Sequence, residues 1–278
     1  MADQNQEACA QGTPPLAVET QSLSRLFGGF TAVDDLTLRV PAGTIFGLLG
    51  SNGAGKTTTI KMLITMLPPS SGTARVAGYD IIRQPVEVRQ HIGYVPQLLS
   101  ADGGLTGYEN LELFAKLYGI PRACRRERIH EALELLGLGE VAHKVASHYS
   151  GGMIRRLEIA QAMLHRPAVL FLDEPTVGLD PVARHAVWER LRQLRSQFGT
   201  TIVMSTHDME EADTLCAQIA IMQQGRLVIV GSPADLKAQV GPAAALEDVF
   251  VRYTGNALEA GEEFRDVRQT RRTAGRLG

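Results

Sequence analysis

Apolar and polar positions along this chain follow two distinct periods, and the switches between them mark its elements. Residues 17–26 alternate as a half-exposed strand does, and 36–40 alternate again before Pro41-Ala42-Gly43 turns the chain. Residues 44–49, Thr44-Ile45-Phe46-Gly47-Leu48-Leu49, form an apolar run that reads as a buried strand. From Lys56 a helical pattern opens and Pro68-Pro69 closes it. A short strand over 73–78 follows. Over 109–145 the spacing turns helical, through Leu111, Leu113, Phe114 and Leu117, then Ile129, Leu133, Leu135 and Leu136, with Pro121 and Gly137 as punctuation. Residues 151–165 read as a helix. The unbroken apolar run 168–172 suits a central parallel strand. Pro181 is well placed to start a helix running to Gln197. A strand over 201–205, a helix over 209–217 and a hairpin joined through Gln224-Gly225 complete the pattern. Strands alternating with helices predict an α/β fold with a helical insertion.

Composition narrows the classes. A chain of 278 residues can bury a full core, and a net charge of −2 leaves no electrostatic footprint for DNA or RNA, so no nucleic-acid partner is expected. No apolar run approaches the ~18–20 residues that span a bilayer, and the polar first fifteen residues lack the order of a signal peptide. The expectation is a soluble chain in the cytosol. Cys9, Cys124 and Cys216 are scattered and read as free thiols. The expected organisation is a disordered 1–15, a main α/β domain over 16–240 with a helical subdomain at about 98–165, and an extension over 241–278 whose tail is loose from about 255.

The chemistry concentrates at two strand ends. Gly50-Ser51-Asn52-Gly53-Ala54-Gly55-Lys56-Thr57-Thr58 fits G-x-x-x-x-G-K-[ST] between a strand and a helix start, the context that a phosphate cradle requires. Glycines let the backbone turn its N–H groups inward on the anion, and the helix dipole adds its positive end. Lys56 can reach β- and γ-phosphates, and the Thr57 hydroxyl can serve a magnesium ion. The strand over 168–172 ends in Asp173-Glu174, where parallel sheets place their ligands. Asp173 is the expected magnesium holder, and Glu174 is placed to take a proton from a water attacking the γ-phosphate. Ser150-Gly151-Gly152 opens another helix and offers a second anion-binding start, or simply an N-cap. One phosphate loop with two gripping turns suggests a site completed by another subunit.

The order of phosphate loop, helical insertion, Ser-Gly-Gly turn and Asp-Glu strand resembles the nucleotide-binding subunit of an ATP-binding cassette transporter. That resemblance covers about residues 17–235. It implies a P-loop NTPase core of mixed, mainly parallel sheet with an antiparallel β subdomain and an inserted α-helical subdomain, and an ATPase using ATP and Mg2+. It implies that Gln97, in Tyr94-Val95-Pro96-Gln97, serves magnesium and senses the γ-phosphate. Gly178-Leu179-Asp180 is implied to cross a dimer interface, and His207 to be the switch histidine that orients the γ-phosphate. Phe27 matches the aromatic that stacks on adenine, with Phe30 a rival. Tyr149 and Met153 depart from the commonest form of the signature turn, and Val177 from the usual small polar residue. The implied partners are a second ATPase subunit, as a homodimer or pseudo-dimer, and a separate multispanning permease that would hold the chain at the inner face of the cell membrane. The wording around Ser150 and the segment Leu246-Glu247-Asp248-Val249-Phe250 resemble the drug-resistance and nodulation exporter branch.

Overall fold

A computed structural model describes residues 15–255. Two long strands with opposed, partly exposed faces, β1 (Leu16–Phe27) and β2 (Phe30–Pro41), pair antiparallel through Gly28-Gly29. With β4 (Ser71–Val76) and β5 (Tyr79–Asp80) they form a four-stranded antiparallel sheet ordered β2-β1-β4-β5. The second sheet has six strands in the order β10-β9-β3-β8-β7-β6. Its members are β3 (Ile45–Leu49), β6 (Ile92–Val95), β7 (Val169–Asp173), β8 (Thr201–Thr206), β9 (Gln218–Gln223) and β10 (Arg226–Gly231). All neighbours from β9 to β6 are parallel; only β10 runs antiparallel, closing the edge as a hairpin.

Every residue of β3, β7 and β8 is buried, which explains why these strands read as continuous apolar runs and not as alternation. Their side chains feed two cores, one on each face: Ile45, Leu49, Leu170 and Leu172 on one side, Phe46, Leu48, Val169 and Phe171 on the other. Helix α1 (Lys56–Leu63) follows β3, and α2 (Pro85–His91) leads into β6. The inserted helices are α3 (Gly107–Leu117), α4 (Arg122–Leu135) and α5 (Gly151–Met163), and α6 (Pro181–Phe198) and α7 (Met209–Leu215) flank β8. Between α4 and α5, past the predicted break at Gly137, the chain makes two short 3-10 turns, Gly139–Val141 and Ala146–His148, where the helical spacing to 145 predicts helix. Two further helices, α8 (Pro233–Val240) and α9 (Leu246–Thr254), pack on the last hairpin and α7. Among the described residues no helix is long and apolar enough to cross a membrane. The predicted disordered stretch before Pro15 and all but the first residue of the loose tail lie outside the described residues.

Topology now positions the chemistry. Because β3, β8, β7 and β6 are adjacent and parallel, their carboxyl ends share one edge of the sheet, and the loops that follow them must converge there.

Candidate active site at the carboxyl edge of the sheet

The turn after β3 carries Gly50 to Gly55. Gly53 and Gly55 sit at positive φ, 79° and 101°, and Gly55 caps α1. The close approach behind this turn requires the glycine: a Cβ on Gly55 would lie 2.7 Å from the main-chain oxygen of Ala32. Gly225, in the β9–β10 hairpin, comes equally near, since its Cβ would lie 2.9 Å from the same oxygen. Gly225 also donates its N–H to the Ala54 carbonyl at 3.1 Å and accepts from Asp34 N–H at 2.8 Å. The turn is thus braced from behind by both sheets.

Lys56 is 4% exposed, and its ammonium donates to the carbonyls of Gly50 at 2.8 Å and Ser51 at 3.1 Å. It stands 3.4 Å from Glu174. Burial pulls its pKa below the ordinary lysine value, more than the attraction of Glu174 raises it. Glu174 and, more weakly, Asp173 only partly offset the desolvation of this ammonium. Thr57 Oγ1 donates to Asp173 Oδ1 at 3.0 Å, joining the start of α1 to the end of β7. A hydroxyl and a buried carboxylate side by side are hard oxygen donors, a set that fits magnesium completed by phosphate oxygens and water.

Glu174 sits one residue past β7 in left-handed backbone, φ 49°, with its N–H held by Ser205 Oγ at 3.0 Å. Its carboxylate accepts from Gln97 Nε2 at 3.1 Å and stands 3.3 Å from His207 Nδ1. The hydrogen bond from His207, aided by Lys56, keeps Glu174 below the usual carboxylate range despite burial. The same bond raises His207 against the opposing pull of burial. The pair therefore favours a charged carboxylate beside a readily protonated imidazole.

Six predicted site residues, Lys56, Thr57, Gln97, Asp173, Glu174 and His207, thus meet in one cluster drawn from four strand ends. Others stand apart. Ser150 is exposed and N-caps α5, its hydroxyl accepting from Met153 N–H at 3.3 Å. Asp180 is also exposed and N-caps α6 through Ala183 N–H at 2.9 Å. These two turns neighbour each other, since a Cβ on Gly152 would press against Ala183 and one on Gly151 would touch Leu179. Phe27 and Phe30 face each other at the β1–β2 hairpin, 45% and 64% exposed, and the Arg25 guanidinium lies 4.6 Å over the Phe27 ring. Both rings remain presented to solvent.

Sequence reasoning missed three groups. Ser205, fully buried, donates to Asp173 Oδ1 at 2.5 Å and so fixes the carboxylate next to Thr57. A hydroxyl near the end of a buried strand, two residues before His207, was the available signal. Glu211, 1% exposed, accepts from Thr176 at 2.7 Å and from the Trp188 indole at 3.0 Å, and burial raises its pKa. Arg155 and Glu158 form a buried pair beneath the Gln97 loop, and only their interruption of an apolar helix face hinted at it.

Residues 33–177 match the ABC transporter family. The chain is 46% identical over 228 residues to the daunorubicin/doxorubicin resistance ATP-binding protein of Streptomyces peucetius, covering 82% of this chain and 69% of that one. It is 43% identical over 225 residues to the Nod factor export ATP-binding protein I of Paraburkholderia xenovorans, covering 81% and 74%. A solved ATP-binding subunit of an ABC transporter superposes with a TM-score of 0.75 at 32% identity, covering 86% of this chain and 99% of that one. With its P-loop NTPase fold, this chain belongs to the ABC transporter family as an ATP-binding, ATP-hydrolysing subunit, on the branch that includes drug-resistance and Nod factor export proteins.

Proposed function

We propose that this subunit hydrolyses ATP with magnesium at the Lys56–Glu174 cluster, pairs head to tail with a second copy, and so drives export through a separate membrane permease. The carrying observation is the convergence of Thr57, Asp173, Gln97, Glu174 and His207 around the Lys56 turn at one sheet edge. In this reading the turn from Gly50 to Thr58 wraps the phosphates, and Lys56 trades its bonds to the Gly50 and Ser51 carbonyls for β- and γ-phosphate oxygens. Thr57, Asp173 and Gln97 would hold magnesium, which offsets developing charge on the transferring phosphoryl group. Glu174, kept ionised by His207 and Lys56, is placed to accept a proton from the attacking water, while His207 orients the γ-phosphate.

The remaining contacts belong to the second copy. Ser150 and Gly151 lie exposed at a helix start, with Gly152 buried behind them against Ala183 and exposed Asp180 on the neighbouring turn, so this face can be offered across an interface to the γ-phosphate of the partner's ATP. ATP then binds the closed pair better than the open one, and closure follows from that difference. Phe27 or Phe30 supplies the adenine platform; the exposure of both rings supports either. The names of the relatives support export, and the lack of a spanning helix among the described residues supports a permease partner at the inner face of the membrane.

The test is E174Q. Without its proton acceptor the variant should bind ATP but hydrolyse it at least about 10²-fold more slowly, and it should accumulate as an ATP-bound dimer by light scattering. A variant that stayed monomeric in saturating ATP would sink the shared-site mechanism.

A further inference from the structure

Helix α5 does more than present Ser150. Arg155 and Glu158, one helical turn apart, are 2% and 3% exposed, and they pair at 3.0 Å. Their remaining bonds go to the loop that follows β6, nearly all of them to its main chain. Arg155 Nη1 donates to the Pro96 carbonyl at 2.7 Å, and Nη2 to the Gln97 carbonyl at 2.8 Å. Glu158 Oε1 accepts from the N–H of Ser100, from that of Ala101 at 3.3 Å, and from Ser100 Oγ at 3.2 Å. Both feet of residues 96–101 are therefore bonded to α5, while Leu98 and Leu99 between them stand 81% and 56% exposed.

A buried ion pair is seldom the most stable way to fill a core, since well-packed apolar side chains of similar volume often do as well. Here Arg155 Nε is buried with no partner, so stability was not fully satisfied by the arrangement. What the pair does fix is position. Its fork sets the main chain at Gln97, whose side chain reaches Glu174, and it stands five residues, about 7.5 Å along the helix, from the Ser150 cap.

We propose that Arg155 and Glu158 are positioning residues that tie the Gln97 loop rigidly to the helix start at Ser150, coupling the two nucleotide sites of a dimer. Gln97 serves this chain's own triphosphate and Ser150 the partner's, so a shift of the loop on one side moves the turn offered to the other. The inference rests on the shared-site reading above. It gives the exposed leucine loop a second consequence, because whatever presses on residues 98 and 99 also presses on both sites.

The experiment compares E174Q with R155K/E174Q and E158Q/E174Q in the full chain. Lysine keeps the charge at 155 but cannot bridge two carbonyls, and glutamine at 158 keeps an acceptor for the Ser100 and Ala101 amides but loses the ionic partner. Three quantities are read: affinity of the dilute monomer for a fluorescent ATP analogue, the ATP concentration at half-maximal dimer by light scattering, and amide exchange over residues 96–101. Monomer affinity should stay within about twofold while the dimerisation midpoint rises about tenfold, the size of an ordinary coupling between sites. Exchange over 96–101 should quicken in both double variants. A midpoint that matched E174Q would overturn the proposal. So would a midpoint and a monomer affinity that moved by the same factor, which a merely structural role would produce. If E174Q itself failed to dimerise, the shared-site reading would fall first and this inference with it, a pattern distinct from the other two.

Discussion

Two polar constellations in this chain are built in opposite ways. At the sheet edge, Lys56, Thr57, Asp173, Glu174 and Ser205 are buried or nearly so, and each is held by groups from another strand end. At the starts of α5 and α6, Ser150 and Asp180 are exposed, and each side chain bonds the N–H three residues ahead in its own helix. The first is the candidate reaction centre, assembled by one chain's topology. The second is a pair of ordinary helix caps, to which the proposed mechanism gives a role only across an interface.

The sharpest way to break that contrast is to damage each half separately. Lys56→Met removes the ammonium inside the cradle, so nucleotide affinity and hydrolysis should both fall, the latter at least about 10²-fold. Ser150→Arg should leave the monomer's affinity within about twofold, yet stop hydrolysis as completely, at a cost in stability of about 1 kcal/mol for the lost cap. Nucleotide titration and phosphate release separate the outcomes; equal loss of affinity in both variants would erase the distinction.

A smaller effect sharpens the buried half. Ser205→Ala deletes the donor to Asp173 and the acceptor of Glu174 N–H, which should cost about 1–3 kcal/mol in denaturant unfolding. Hydrolysis should drop about tenfold through the displaced carboxylate, with ATP affinity little changed. An unaltered turnover would show that Asp173 is held without this bond.

The smallest concerns pH. His207 has its pKa raised in the fold, so its stabilising contribution is complete below about 6.5 and fades as pH climbs past the raised value. Glu174, lowered from about 4.5, stays ionised above that value. The gap in melting temperature between the parent and His207→Gln should thus be widest between about pH 4.5 and 6.5 and shrink towards pH 9. His207 is 43% exposed, so after solvent screening the gap amounts to about one or two degrees. A gap that widened with rising pH would contradict the His207–Glu174 assignment.

What could be read beforehand divides along the same line. The phosphate turn and Asp173-Glu174 are contiguous stretches at the ends of apolar runs, so local pattern alone exposed them. Ser205–Asp173 and Arg155–Pro96 join residues 32 and 59 positions apart, and no local period encodes such a pair. Strand β6 escaped for another reason. Its four residues include Gly93, which packing requires because a Cβ there would lie 2.4 Å from the Ala162 carbonyl of α5, so the strand carries too short an apolar run to show a period. Helix α9 begins without a polar cap of its own, with Asp248 accepting from Ala245 N–H instead, so it registered only as a family likeness. The exposed turn at Ser150 allowed two readings in the sequence, an anion-binding helix start and a plain N-cap, because as local structure the two are indistinguishable.

The meeting of Gly55, Gly225 and Ala32 has a consequence beyond the fit of one turn. Three stretches far apart in the chain touch there backbone to backbone, with no side chain between them to yield. The curvature of the glycine-rich loop is therefore gauged from its rear, and a shift of either sheet at this point has to be taken up by that loop's own backbone.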